Sequence, residues 1–248
     1  MLFSRILDFK ESLARQKEQR QARRYPPGRN FPLMATIEVE GEPRNAKLLD
    51  LSVGGAGLQV AGPSYTVGAE AKLHLMIDNR WMEFPCHIAH LKTLPVGARL
   101  GLAAKFDNPD TEMAFLQLLQ PIVLGSALRP VSLEEVRQDD PTMHKQVFTG
   151  MPGTELTVWR QYDSMGELAS FLWEMNDYLV RGDAAVGVMQ LCTRARMENA
   201  ARKKRAATFG KLRGVIDGEI RQLFRWTMLN LPKEVPGDIR SFLQDFVD

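Results

Sequence analysis

Between Phe31 and Gly125 apolar and polar residues alternate. Met34–Glu40 (MATIEVE) reads as a half-buried strand, with successive side chains on opposite faces. Four more such stretches follow, at Ala46–Val60, Ala71–Asp78, Met82–Leu94 and Ala98–Phe106, set apart by Gly, Pro, Asn and Asp. Short strands at this spacing predict a small antiparallel barrel or sandwich. The period then changes. Over Pro109–Leu124 apolar residues recur at Met113, Phe115, Leu116, Leu119 and Ile122, the spacing of a helix, and Pro109 suits its first position.

The chain on either side reads as helical. Leu2, Phe3, Ile6, Leu7 and Leu13 recur near helical spacing with Lys and Arg between them, and Pro26-Pro27 ends the pattern. Beyond Ser126, Lys145–Tyr162 reads as two strands around a Met151-Pro152-Gly153 turn. Ser164 with Glu167 forms a capping box, and Gly182 suits a helix stop. Further helical stretches at Asp183–Phe209, Lys211–Leu231 and Pro236–Val247 predict a small bundle, with Phe171, Trp173, Phe224 and Trp226 in its core. The expected fold is α+β. An amphipathic helix over 1–19 precedes a small antiparallel barrel over 20–125, and a mainly helical domain over 126–248 follows.

Composition narrows the chemistry. The net charge of +2 points to no acidic partner for the molecule as a whole. The two cysteines, Cys86 and Cys192, form no CxxC pair, so neither a zinc site nor a disulfide framework follows, and a reducing compartment is expected. No apolar run approaches the ~20 residues that span a bilayer, and the N-terminus lacks a secretory signal. The expected location is the cytoplasm. On a regular strand His87 and His90 fall on opposite faces, a poor arrangement for sharing a metal. Triad spacing, GxGxxG and a P-loop are all missing, so no enzyme activity and no cofactor are expected.

Two stretches do carry chemistry. Arg20 and Arg24 stand four apart just before the Pro-Pro break. Guanidinium donates a fork to phosphate oxygens or to the O6/N7 edge of guanine, and it stacks on bases. Further on, DLSVGGAGL places Asp50, Ser52, Gly54 and Gly55 inside an apolar pattern. Asp50 can accept from the N–H groups of guanine, Ser52 adds a hydroxyl, and the glycines let the backbone approach a ligand closely.

Arg20-x-x-x-Arg24 followed by Asp50-x-Ser52-x-x-Gly55 at the head of a barrel resembles the PilZ domain, a family of bacterial receptors for the second messenger cyclic di-GMP. The resemblance covers about residues 20–125. It implies that Arg20 and Arg24 grip guanine and phosphate, while Asp50, Ser52 and Gly55 hold another guanine face. Gln19 stands where many members carry a further arginine, which leaves open whether one or two ligand molecules bind. The implied function is a non-enzymatic cyclic di-GMP receptor, with ligand drawing a mobile leader onto the barrel and the C-terminal region signalling to a protein partner. Motility, adhesion or biofilm control would be the output. Two alternatives stand beside it: a ligand-independent adaptor, and a nucleic-acid-binding regulator using the basic run Arg194–Arg205. Few aromatics interleave with that run, which argues against nucleic acid. Arg202, Lys203 and Lys204 within it are the expected contacts for a protein partner.

Overall fold

The computed structural model describes residues 23–62, 65–162, 166–194, 198, 209–210 and 215–247. The N-terminal helix expectation and the basic run at 202–204 lie outside them. The chain divides between Ile122 and Val123 into two compact units.

The first unit is a closed six-stranded antiparallel barrel. Its strands are β1 (Met34–Val39), β2 (Glu42–Ser52), β3 (Gly55–Val60), β4 (Glu70–Ile77), β5 (Arg80–Thr93) and β6 (Ala98–Ala104), in the order β1-β2-β3-β6-β5-β4. Alternation decides the inside: Ile37, Leu51, Leu58, Leu73, Leu75, Phe84, Ile88 and Leu100 are fully buried. Helix α1 (Pro109–Ser126) follows β6. Asn108 caps it, its Oδ1 accepting from the Asp110 N–H at 2.7 Å, and Pro109 takes the first position, where no N–H is needed. Phe115 of α1 meets Phe84 edge-on at 5.1 Å.

Two β-bulges break the alternation. The ladder slips by one residue between Leu48 and Asp50 on β2 and between Ile88 and His90 on β5. The second bulge corrects the expectation for the histidines. Ala89 is the extra residue, so His87 and His90 point out of the barrel on the same face while Ile88 points in.

The second unit corrects a larger expectation. The fold is α+β, but the C-terminal region is built on a sheet rather than a bundle. Strands β7 (Arg129–Pro130), β8 (Met143–Thr149), β9 (Thr154–Gln161), β10 (Leu168–Met175), β11 (Tyr178–Asp183) and β12 (Gln190–Thr193) form a meander in sequence order. Helices α2 (Val215–Met228) and α3 (Gly237–Gln244) supply the rest of the core. Of the expected helices, the stretch around 168–182 is a hairpin and Cys192 sits on a strand. The reason is a shared spacing. Phe171, Trp173 and Met175 satisfy a period of two, the two aromatic rings favour strands, and Asn176 takes the positive φ of a tight turn. Gly182 is no helix stop. It faces Phe171 across the ladder, where a Cβ would come within 2.1 Å of the Phe171 ring. That ring also stacks on Phe224 at 5.7 Å. Among the described residues no helix is long and apolar enough to cross a membrane.

Candidate functional site: the outer wall of the barrel

The Asp-x-Ser-x-x-Gly stretch is a hairpin. Asp50 and Ser52 end β2, Val53 and Gly54 turn, and Gly55 opens β3 directly opposite Ser52. Gly55 holds φ +154°, and a Cβ there would lie 1.9 Å from the Leu102 carbonyl oxygen on β6. No side chain fits that approach, so Gly55 is required by strand contact. The Ser52 hydroxyl lies 3.4 Å from the Gly55 carbonyl oxygen.

Asp50 faces Gly57 across the ladder. A Cβ at position 57 would meet the Asp50 carboxylate at 2.7 Å. The carboxylate therefore lies over a bare glycine.

Tyr25 places Arg24. Its N–H donates to the Leu51 carbonyl at 2.8 Å, and the Leu51 N–H donates back at 3.0 Å. Its ring is buried, and burial pushes the phenol pKa up against the opposing pull of the Arg23 charge. Arg23 lies 5.4 Å from the centre of the ring. With Tyr25 turned inward, Arg24 turns outward, and its Nη1 reaches Asp50 Oδ1 at 3.5 Å. Arg24 is half exposed at 55% and Asp50 is 25% exposed. At Tyr25 the backbone is thus hydrogen-bonded to β2.

The register extends this edge into a wall. Reading outward-facing residues from β2 through β3 and β6 to β5, one row is Ser52, Gly55, Ala103 and His87. The next is Asp50, Gly57, Gly101 and His90. A third is Lys47, Gln59, Arg99 and Lys92. A Cβ at Gly101 would press on His90 at 3.2 Å. In the middle of the wall two buried glycines thus make room for the Asp50 carboxylate and for His90, which lie over them. On the opposite wall charges are matched: Lys72 reaches Glu83 at 3.2 Å and Glu38 at 3.8 Å, and His74 lies 3.3 Å from Glu38. The Glu83 hydrogen bond holds the Lys72 pKa above its ordinary value.

Of the residues singled out in the sequence, Arg24, Asp50, Ser52 and Gly55 meet at this edge. Arg20, Arg202, Lys203 and Lys204 lie outside the described residues. Sequence reasoning missed Tyr25, Gly57 and Gly101. The third glycine of GGAGL and the lone aromatic between the arginines and the prolines were their signals. The apolar doublets Leu48-Leu49 and Ile88-Ala89 were the trace of the bulges.

The PilZ domain model matches residues 18–124. Among solved structures, the PilZ domain of YcgR from Escherichia coli, solved with c-di-GMP, is 16% identical at a TM-score of 0.37, covering 42% of this chain and 91% of that one. The PilZ domain of CeSA from a cellulose-synthesizing bacterium is 17% identical at 0.33, covering 39% and 94%. The Borreliella burgdorferi PlzA protein, in complex with c-di-GMP, is 12% identical at 0.32, covering 74% and 87%. No curated protein matches the chain. Over residues 18–124 this chain is thus similar to the PilZ domain family.

Proposed function

We propose that the chain is a non-enzymatic cyclic di-GMP receptor acting in the cytoplasm. The observation that carries the reading is the convergence of Arg24 and Asp50 on the barrel wall, where Gly57 makes room for the carboxylate. Asp50 supplies the acceptors that guanine N1–H and N2–H2 need, and Arg24 supplies donors for phosphate or for the guanine O6/N7 edge. The PilZ match begins at residue 18 and so takes in Arg20, whose assigned role is to grip guanine and phosphate beside Arg24. Ser52 adds a hydroxyl at the same edge, and Gly55 closes the hairpin that carries it.

In this reading the barrel senses and the C-terminal unit reports. Ligand shifts the interdomain arrangement because it contacts leader and barrel together, which gives differential affinity for the two states. A protein partner reads that state through Arg202, Lys203 and Lys204.

The test is calorimetry of the full chain with cyclic di-GMP and with cyclic di-AMP, followed by capture of partners with and without ligand. Tight, guanine-selective binding with ligand-dependent capture is the expected result. Absence of binding with ligand-independent capture would replace the reading with a plain adaptor, and salt-sensitive retention on DNA would favour the nucleic-acid regulator.

A further inference from the structure

The row beside Gly57 and Gly101 holds three cations, Lys47 on β2, Arg99 on β6 and Lys92 on β5, with Gln59 between the first two. All four side chains are exposed. Among the described residues none of the three cations has an ion-pair partner, in contrast to Lys72, Lys105 and Arg44 elsewhere on the barrel. A regular β2 and a regular β5 would not produce this face. The Leu48/Asp50 bulge lets Lys47 and Asp50 share it, and the Ile88/His90 bulge does the same for His87 beside His90 and Lys92. Bulges re-aim side chains in this way beside functional sites.

The dimensions suit a nucleotide. Adjacent rows are two residues apart along a strand, about 7 Å, and the four strands of a row span roughly 14 Å. The first distance is of the order that separates a base from its phosphate across the ribose. The Asp50 carboxylate covers Gly57 and His90 packs over Gly101, so a base entering here meets the carboxylate and the exposed His90 ring rather than bare backbone. Unpaired cations beside a single carboxylate focus positive potential on that strip.

We infer that the cyclic dinucleotide site does not end at the arginine leader and the β2–β3 hairpin but crosses the wall to β5. His90 is the stacking platform for a base, and the Lys47–Arg99–Lys92 row takes phosphate. This inference rests on the cyclic di-GMP reading above and assigns a footprint to it. Arg99, central in the row, makes charge-assisted contacts that Gln reproduces only in part. His90 acts through its ring, since base–aromatic stacking tolerates any flat partner.

The experiment is calorimetry of the full chain with cyclic di-GMP at two salt concentrations. The variants are Arg99→Gln, His90→Ala, His90→Phe and Lys72→Gln, the last on the opposite wall. Thermal melting checks that each variant folds, as exposed positions should allow. Arg99→Gln is expected to weaken binding about tenfold and to reduce its salt dependence. His90→Ala is expected to weaken it about tenfold, with His90→Phe restoring most of the loss. Lys72→Gln is expected to bind as the wild type does. Should the wild type bind while Arg99→Gln and His90→Ala bind equally well, the footprint is wrong and the receptor reading stands. Equal losses in Arg99→Gln and Lys72→Gln reduce the effect to bulk charge and overturn the row. A wild type that does not bind overturns both readings together.

Discussion

Two glycines two positions apart on β3, Gly55 and Gly57, do different jobs, and substitution separates them. At Gly57 the obstacle to a Cβ is the Asp50 carboxylate, the far end of a side chain that can swing away. Gly57→Ala is expected to cost under about 1 kcal/mol of stability but about tenfold in cyclic di-GMP affinity, because it displaces the acceptor. At Gly55 the obstacle is the Leu102 backbone, which has nowhere to go. Gly55→Ala is expected to lose about 2–3 kcal/mol of stability, and Gly55→Val more. Urea unfolding set beside calorimetry distinguishes the two; equal stability losses would contradict the assignment. Asp50→Ala, with the fold intact, is expected to cost about 2 kcal/mol of binding and to narrow the preference for cyclic di-GMP over cyclic di-AMP. A variant that keeps full selectivity would remove Asp50 from base recognition. Asp50, Ser52 and Gly55 were legible in the sequence because an acid and a glycine pair inside an apolar run stand out. Gly57 was harder, since its purpose is visible only once a ladder puts Asp50 over it.

At the level of elements, strands were legible where their alternation was clean, and the two bulges were not. A bulge adds one residue and shifts every later side chain by one face, so counting along Met82–Leu94 put His87 and His90 on opposite sides. The β10–β11 hairpin was misread for a related reason. Its core residues Phe171 and Trp173 lie in a sequence of good helix formers, Met, Glu and Leu, and the choice fell to partners distant in the chain. Gly182 shows those partners at work, since the Phe171 ring lies where its Cβ would be. Gly182→Ala is expected to destabilise the second unit by about 2–3 kcal/mol, through displacement of Phe171 from Phe224 and Phe246. Cyclic di-GMP affinity should be unchanged. Unchanged stability in urea unfolding would contradict this close approach.

Across the molecule, the chain forms two compact units, and the second carries an acid-sensitive ion pair. In the second unit Asp238, at the start of α3, pairs with Arg160 on β9. Burial alone would raise the Asp238 carboxyl, but the hydrogen bonds from Arg160 and from the Ile239 and Asp238 backbone outweigh it and hold it below the ordinary carboxylate value of 3.8. The folded state therefore binds this proton less readily than the unfolded chain does. The contribution is complete above that ordinary value and fades as pH falls through the lower folded value. Asp238→Asn should be slightly less stable than the wild type at pH 7 and converge with it under acid, read by urea unfolding across pH. Half exposure of the carboxylate keeps the effect small. A difference that persists undiminished below pH 3 would mean the aspartate acts through packing.

The backbone bridge between Tyr25 and Leu51 also has a kinetic consequence. It fixes Arg24 one residue away from a buried anchor, so part of the ordering that a ligand would otherwise impose is complete before the ligand arrives. Capture at this edge then resembles docking to a rigid lip, with an encounter rate governed by diffusion and charge. Untying the lip by Tyr25→Ala should show chiefly as slower association in stopped flow, with every group that touches the dinucleotide still in the chain.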